Sequence, residues 1–351
     1  MAKVTQNKSV RSMPITAWPA ADRDGWERAS RPSSRLTRGG AASHLADITR
    51  DDFARRYGYF LDFLERTSRL DRQASAAAQV TLENVELYLA ELQARVSSVT
   101  VYGSIYKLRR AAELIAPASN FAWLTEIEKD LAFVMRPKSK FDRLVSTGVL
   151  VKAGLTLFIE AELSDRSELA RARGVRNGLM VALLAYHPMR LKNFAALELG
   201  RSFVEIKGSW WIVLSYRTTK SCRVDERRVP DVLKRPFDSY INQYRPILAR
   251  SYRSTNALWL SSNDGSPMGY SGVERLISQT TLSAIGVNVS PHLFRTAAAS
   301  TAAVHGGSTP HLASAVLHHT DRRVTEEHYI RASSMSASRI YAEIISDYLR
   351  D

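Results

Sequence analysis

The chain has 351 residues, 45% of them hydrophobic, which is enough for two separate cores and excludes a solvating, unfolded chain. Lys and Arg number 49 against 35 Asp and Glu, a formal net charge of +14, so the field around the protein favours polyanions and nucleic acid is the leading partner class. The single cysteine, Cys222, excludes an internal disulfide and fits a reducing cytosol, and no apolar run approaches the ~20 residues of a membrane span.

The start, MAKVTQNKSVRSM, lacks the apolar core of a signal peptide, so a cytoplasmic location is expected. Residues 1–45 are rich in Ser, Arg, Gly and Pro and show no periodicity; they read as a basic, mostly flexible arm with Trp18 and Trp26 as possible anchors. The arm is either a DNA-touching element or a leader without function. From Thr49 the pattern turns helical. Phe53, Tyr57, Phe60, Leu61 and Leu64 predict a helix over about 50–67, behind a capping box made by Thr49 and Asp52. Further helices are expected after Thr81, after Thr100, and from Trp123 to Val134, giving a small all-α domain over 46–138. The basic stretch MRPKSKFDR, 135–143, carries Pro137 and reads as an interdomain linker, with the linker proper at 139–147, either tracking DNA phosphates or simply solvated.

A second domain over 148–335 begins with apolar helices at about 148–162 and 167–186. The period then switches to two. Residues 203–207, a Gly208-Ser209 turn, 210–216 and 224–230 predict a small sheet, with 217–223 as the tip between its second and third strands. Helices follow to the end. The last of these, 336–351, has Ile340, Ile344, Ile345 and Tyr348 on one face; it is too short to stand alone and is expected to dock on its own domain or on a neighbouring subunit.

The chemistry-bearing residues cluster late in the chain. Ser290 and Pro291 suit the start of a helix, and His292 and Arg295, three apart, then share the face of its first turn beside unpaired N–H groups, an arrangement suited to phosphate. SAVLHH ends in His318-His319, and Tyr329 stands in TEEHYIR ten residues after His319, with Arg331 two further on. Upstream, AYHPMRLKNFAALEL carries Arg190 at the end of an apolar helix, and WWIVLSYRTTK carries Lys220 at a hairpin tip, with Lys207 and Arg223 as rivals.

This order of Arg190, Lys220, His292-x-x-Arg295, His319 and Tyr329 resembles the tyrosine recombinase, or phage integrase, family, strongly over about 150–340 and more weakly over 46–138. The resemblance implies a mainly α fold with a small β-sheet: an α-helical, SAM-like core-binding domain, then an α+β catalytic domain. It also implies a site-specific recombinase of a mobile element, cutting and rejoining duplex DNA through a 3′-phosphotyrosyl link without metal or nucleotide cofactor. In that scheme Tyr329 is the nucleophile, and Arg190 and Arg295 hold the phosphate oxygens. His319 donates to the same oxygens, His292 relays the tyrosine proton, and Lys220 protonates the leaving 5′-oxygen. Double-stranded DNA is then the partner, with a dimer on one site, a tetramer in synapsis, possible accessory DNA-bending proteins and a place in the nucleoid. A type IB topoisomerase and a non-cleaving DNA binder are the alternatives. Two positions depart from the family: His318 stands where Gly is usual, leaving open which of His318 and His319 faces the phosphate, and Asn193 stands where an acidic residue usually orients the first arginine.

Overall fold

The computed structural model describes residues 10–137, 141–215, 224–250, 254–305 and 317, in two compact units, 1–139 and 140–351. Among the described residues no helix is long and apolar enough to cross a membrane.

In the first unit five helices pack together: α1 (Ala20–Ser30), α2 (Asp47–Arg66), α3 (Leu82–Arg95), α4 (Ser98–Ile115) and α5 (Ala122–Val134). Their shared core holds Tyr57, Phe60, Leu61 and Leu64 from α2 with Ile105 and Leu108 from α4, the three-to-four spacing that amphipathic helices require. Thr81 caps α3, accepting from the Asn84 amide at 3.3 Å. The capping box expected at Thr49 does not form. Helix α2 starts earlier, after Ala46, so Thr49 and Asp52 lie inside it, and Asp52 instead takes an ion pair from Arg55 at 2.7 Å and another from Lys107.

The expected flexible arm is also corrected. Within residues 1–45, the described part from Val10 is built into the unit, with a helix of its own and both tryptophans buried. Trp18 lies against the Tyr57 ring at 5.0 Å, and its Nε1–H donates to the Met13 carbonyl at 3.0 Å. Asp22 on α1 is buried and accepts from the Tyr57 hydroxyl at 3.0 Å and the Ala77 amide at 2.6 Å. A Cβ added at Gly25 would come within 2.5 Å of the Ile115 carbonyl oxygen, so α1 sits close against the end of α4. A buried carboxylate and a glycine stand where an apolar stripe would be, and hydrophobic periodicity therefore has nothing to detect.

The second unit is arranged around α7 (Glu168–Tyr186), which follows α6 (Thr147–Leu163). Helix α7 is buried on nearly all sides, from Ala172 and Val175 through Leu179 to Ala185, as a central helix must be. Gly154 of α6 and Gly178 of α7 face each other so closely that a Cβ on either would come within 2.7 Å of the other's carbonyl oxygen. Next come the short α8 (Leu191–Ala195) and a three-stranded antiparallel sheet in the order β1 (Phe203–Ile206), β2 (Ser209–Leu214), β3 (Asp225–Arg228). The first hairpin turns through Lys207 and Gly208, both at positive φ (49° and 73°), a pair suited to a two-residue turn, so β2 begins at Ser209. Among the described residues that follow are four α-helices: α9 (Lys234–Ser239), continuing through a π turn into α10 (Arg245–Ala249), then α11 (Tyr270–Ile285) and α12 (Pro291–His305). The mainly α fold with one small sheet is the architecture expected from the sequence. The hairpin tip 217–223 and the tail 336–351 lie outside the described residues.

Candidate active site

Three segments distant in sequence meet at the four-residue turn 187–190 that joins α7 to α8. Helix α7 ends as the His187 amide donates to the Leu183 carbonyl at 2.8 Å. Arg190 then caps α8 in an extended conformation, its carbonyl accepting from Asn193 at 2.9 Å and Phe194 at 3.0 Å. Phe194 anchors the helix in the core, its ring stacked 5.2 Å from Trp259, whose Nε1–H donates to the Phe194 carbonyl at 3.0 Å. Arg190 is thus held at the edge of a rigid element, with its side chain partly buried.

The second segment is the start of α12. Before it, the Val289 amide donates to the Thr281 hydroxyl at 3.0 Å, tying the approach to α11. Pro291 opens the helix, and Leu293 and Phe294 point into the core. His292 is exposed, and Arg295 is partly buried. Arg295 donates through Nη1 to the Pro188 carbonyl, in the turn that carries Arg190, and through Nη2 to the Leu317 carbonyl at 2.8 Å. Leu317, two positions before His319 in sequence, is buried against Ala298 and Ala299 of α12.

Strand β3 is the third segment. Its Asp225 and Arg227 lie opposite Leu214 and Ile212 of β2, both buried, so the two charged side chains share the covered face of the sheet. Arg227 donates to the Asp225 carboxylate from Nε at 2.7 Å and from Nη2 at 2.9 Å. His187 Nε2 lies 3.1 Å from the Arg228 carbonyl. Burial, and then the charge of Arg227, push this histidine down to about 4, so at neutral pH the ring is neutral with Nε2–H as donor. The bond fastens β3 to the turn.

These contacts put three guanidiniums together. Arg295 is pushed down to about 10, first by burial and then by the positive charges of Arg190 and Arg227, with Asp225 acting the other way. It stays protonated at neutral pH, and its hydrogen bonds go to carbonyls, which leave its charge unneutralised. Forked cations of this kind suit a tetrahedral oxyanion such as a phosphate. Among the described residues no cluster of His, Cys, Asp or Glu is placed to hold a metal ion.

Of the residues singled out from the sequence, Arg190 and Arg295 are brought together, and His292 stands on the first turn of the same helix as Arg295. Lys220, His319 and Tyr329 lie outside the described residues, as do His318 and Arg223. Sequence reasoning passed over Asp225, Arg227 and His187. The one signal for the first two is the period of two in 224–230, which places Asp225 and Arg227 on one face, although charged residues on a short strand ordinarily mark its solvent side.

No family profile and no curated protein sequence matches the chain. Solved structures do. The XerH site-specific recombinase bound to difH substrate, in a pre-cleavage complex, superposes with a TM-score of 0.53 at 14% identity, covering 84% of this chain and 80% of XerH. A lambda integrase dimer bound to a COC′ core site is similar at a TM-score of 0.46 and 12% identity (82% and 90% covered), and XerA recombinase at 0.38 and 18% (85% and 94%). The chain has the tyrosine recombinase fold.

Proposed function

We propose that the protein is a site-specific DNA strand transferase, a recombinase or integrase, in which Tyr329 attacks a backbone phosphate of duplex DNA and forms a 3′-phosphotyrosyl link. The observation that carries this reading is the meeting of Arg190 and Arg295 at the turn 187–190, with their charge left open to an anion. Attack on a phosphodiester adds negative charge to a group that is already anionic. Preorganised donors around the non-bridging oxygens therefore supply the main stabilisation. A tyrosine with an ordinary pKa near 10 is a poor nucleophile at neutral pH until cations and a base favour its phenolate. Arg190 and Arg295 hold the oxygens, His319 adds a donor, His292 relays the tyrosine proton, and Lys220 protonates the departing 5′-oxygen. The link conserves the bond energy, so rejoining needs no nucleotide, and side chains alone carry the step.

Double-stranded DNA is the proposed partner. The net charge of +14 and the fold shared with XerH, whose structure is a DNA complex, support that choice. A dimer on each site and a tetramer in synapsis, with accessory bending proteins at some sites, complete the reading. The test is a denaturing gel on nicked suicide DNA. The wild type is expected to give a covalent protein–DNA band and Tyr329→Phe none, with duplex binding nearly unchanged in the variant. A band that persists in Tyr329→Phe moves the nucleophile elsewhere, and no wild-type band on any site leaves a DNA-binding protein that does not cut.

A further inference from the structure

Three guanidiniums gathered in a partly dry place repel one another, and desolvation adds to the cost. Asn193, in the helix that Arg190 caps, brings no charge to offset them. The carboxylate that reaches this cluster comes from a different element, strand β3. Asp225 is 5% exposed, projects from the covered face of the sheet, and grips Arg227 at two points. Strand β3 is fastened to the turn 187–190 by His187, and α12 is fastened to the same turn by Arg295. The Asp225–Arg227 pair is therefore part of the wall against which Arg190 and Arg295 are set.

Building on the strand-transfer reading, we infer that Asp225 is a positioning residue of that site: its two-point grip on Arg227 sets the place of this guanidinium beside Arg295 and Arg190. The position matters because a guanidinium stabilises the charge that builds up in the phosphorane-like transition state only where its donors meet the oxygens that carry it.

The test uses the full chain and two readouts: single-turnover formation of the covalent link on nicked DNA, and affinity for an intact duplex. Asp225→Asn is expected to slow link formation by about 10- to 100-fold, the scale of a misplaced transition-state donor, while duplex affinity stays level or tightens. Asp225→Glu, which keeps the charge, is expected to recover most of the rate. Should Asp225→Asn fail to fold, Arg227→Lys breaks the two-point grip from the other side and is expected to slow the link about tenfold at unchanged affinity. An ion pair that merely staples β3 would instead lower rate, affinity and unfolding temperature together, and that result, or a wild-type rate in Asp225→Asn, overturns the inference. If the wild type itself forms no link, the strand-transfer reading falls separately. The two failures differ in their readout: a wild type without a link removes the reading, whereas a wild type with a link that Asp225→Asn forms as fast removes the inference alone.

Discussion

Two arginines of the first unit and Arg295 of the second are used in opposite ways. In the first, Arg66 is shared between Asp62 (2.8 Å) and both oxygens of Glu91 (3.0 and 2.8 Å), and Arg109 between Glu113 (2.6 Å) and both oxygens of Glu128 (2.6 and 3.0 Å). The carboxylates hold both guanidiniums well above their ordinary range, so these cations are committed to their partners. In the second unit Arg295 donates to carbonyls, keeps its charge uncancelled and is pushed down to about 10. Arg176 shows the same shift, with bonds to the Leu260 carbonyl and the Asn177 amide oxygen, yet it is 2% exposed and holds α7 to its neighbours. What separates Arg295 from Arg176, which also has a cation beside it in Arg173, is thus its partly open side chain.

The comparison can be broken by removing each kind in turn. Arg295→Ala and Arg190→Ala are each expected to cut strand cleavage by about 10²-fold or more, the loss seen when one preorganised donor to a transition state is removed. Arg190→Ala should still unfold near the wild-type temperature, whereas Arg295→Ala also loses its ties to the Pro188 and Leu317 carbonyls; cleavage that stays at the wild-type rate in Arg295→Ala would reduce Arg295 to the class of Arg176. Arg109→Ala should do the reverse. It leaves Glu128, whose side chain is 8% exposed, without its partner, and is expected to destabilise the first unit by roughly 2 kcal/mol, below the range for fully buried pairs because Arg109 is partly exposed. Denaturant titration measures that loss, and chemical rates on DNA under native conditions should hold.

The effect confined to the narrowest conditions belongs to His187, which tests whether the turn 187–190 is fastened as described. Its folded pKa, about 4, lies below the ordinary 6.5, so the unfolded chain takes up the proton first. Stability is full above pH 6.5 and is lost as pH falls from there towards about 4, with Arg227 opposing and Asp225 favouring the charged ring. His187→Gln keeps a donor for the Arg228 carbonyl and removes the titration, so its stability should be flatter across that window. An unchanged slope in the variant would assign the pH response to other groups.

What the sequence could determine by itself follows from what it records directly: periodicity and residue type. The apolar stripes of α2, α4 and α7 and the His292-x-x-Arg295 spacing are local patterns, each legible within a few residues of chain, and the hairpin turn expected at Gly208-Ser209 falls one residue earlier, at Lys207-Gly208. Helix α1 is not legible, because Asp22 and Gly25 fill inward positions and only the Tyr57 hydroxyl, the Ala77 amide and the Ile115 carbonyl make sense of them. The same holds for Asp225 and Arg227. A charged strand residue faces water or a site depending on what covers the sheet, and here the cover is supplied by a turn and a helix start far away in sequence. Tertiary structure alone decided that three arginines and one carboxylate share one place, because their mutual repulsion and its relief depend on distance in space, which spacing along the chain does not encode.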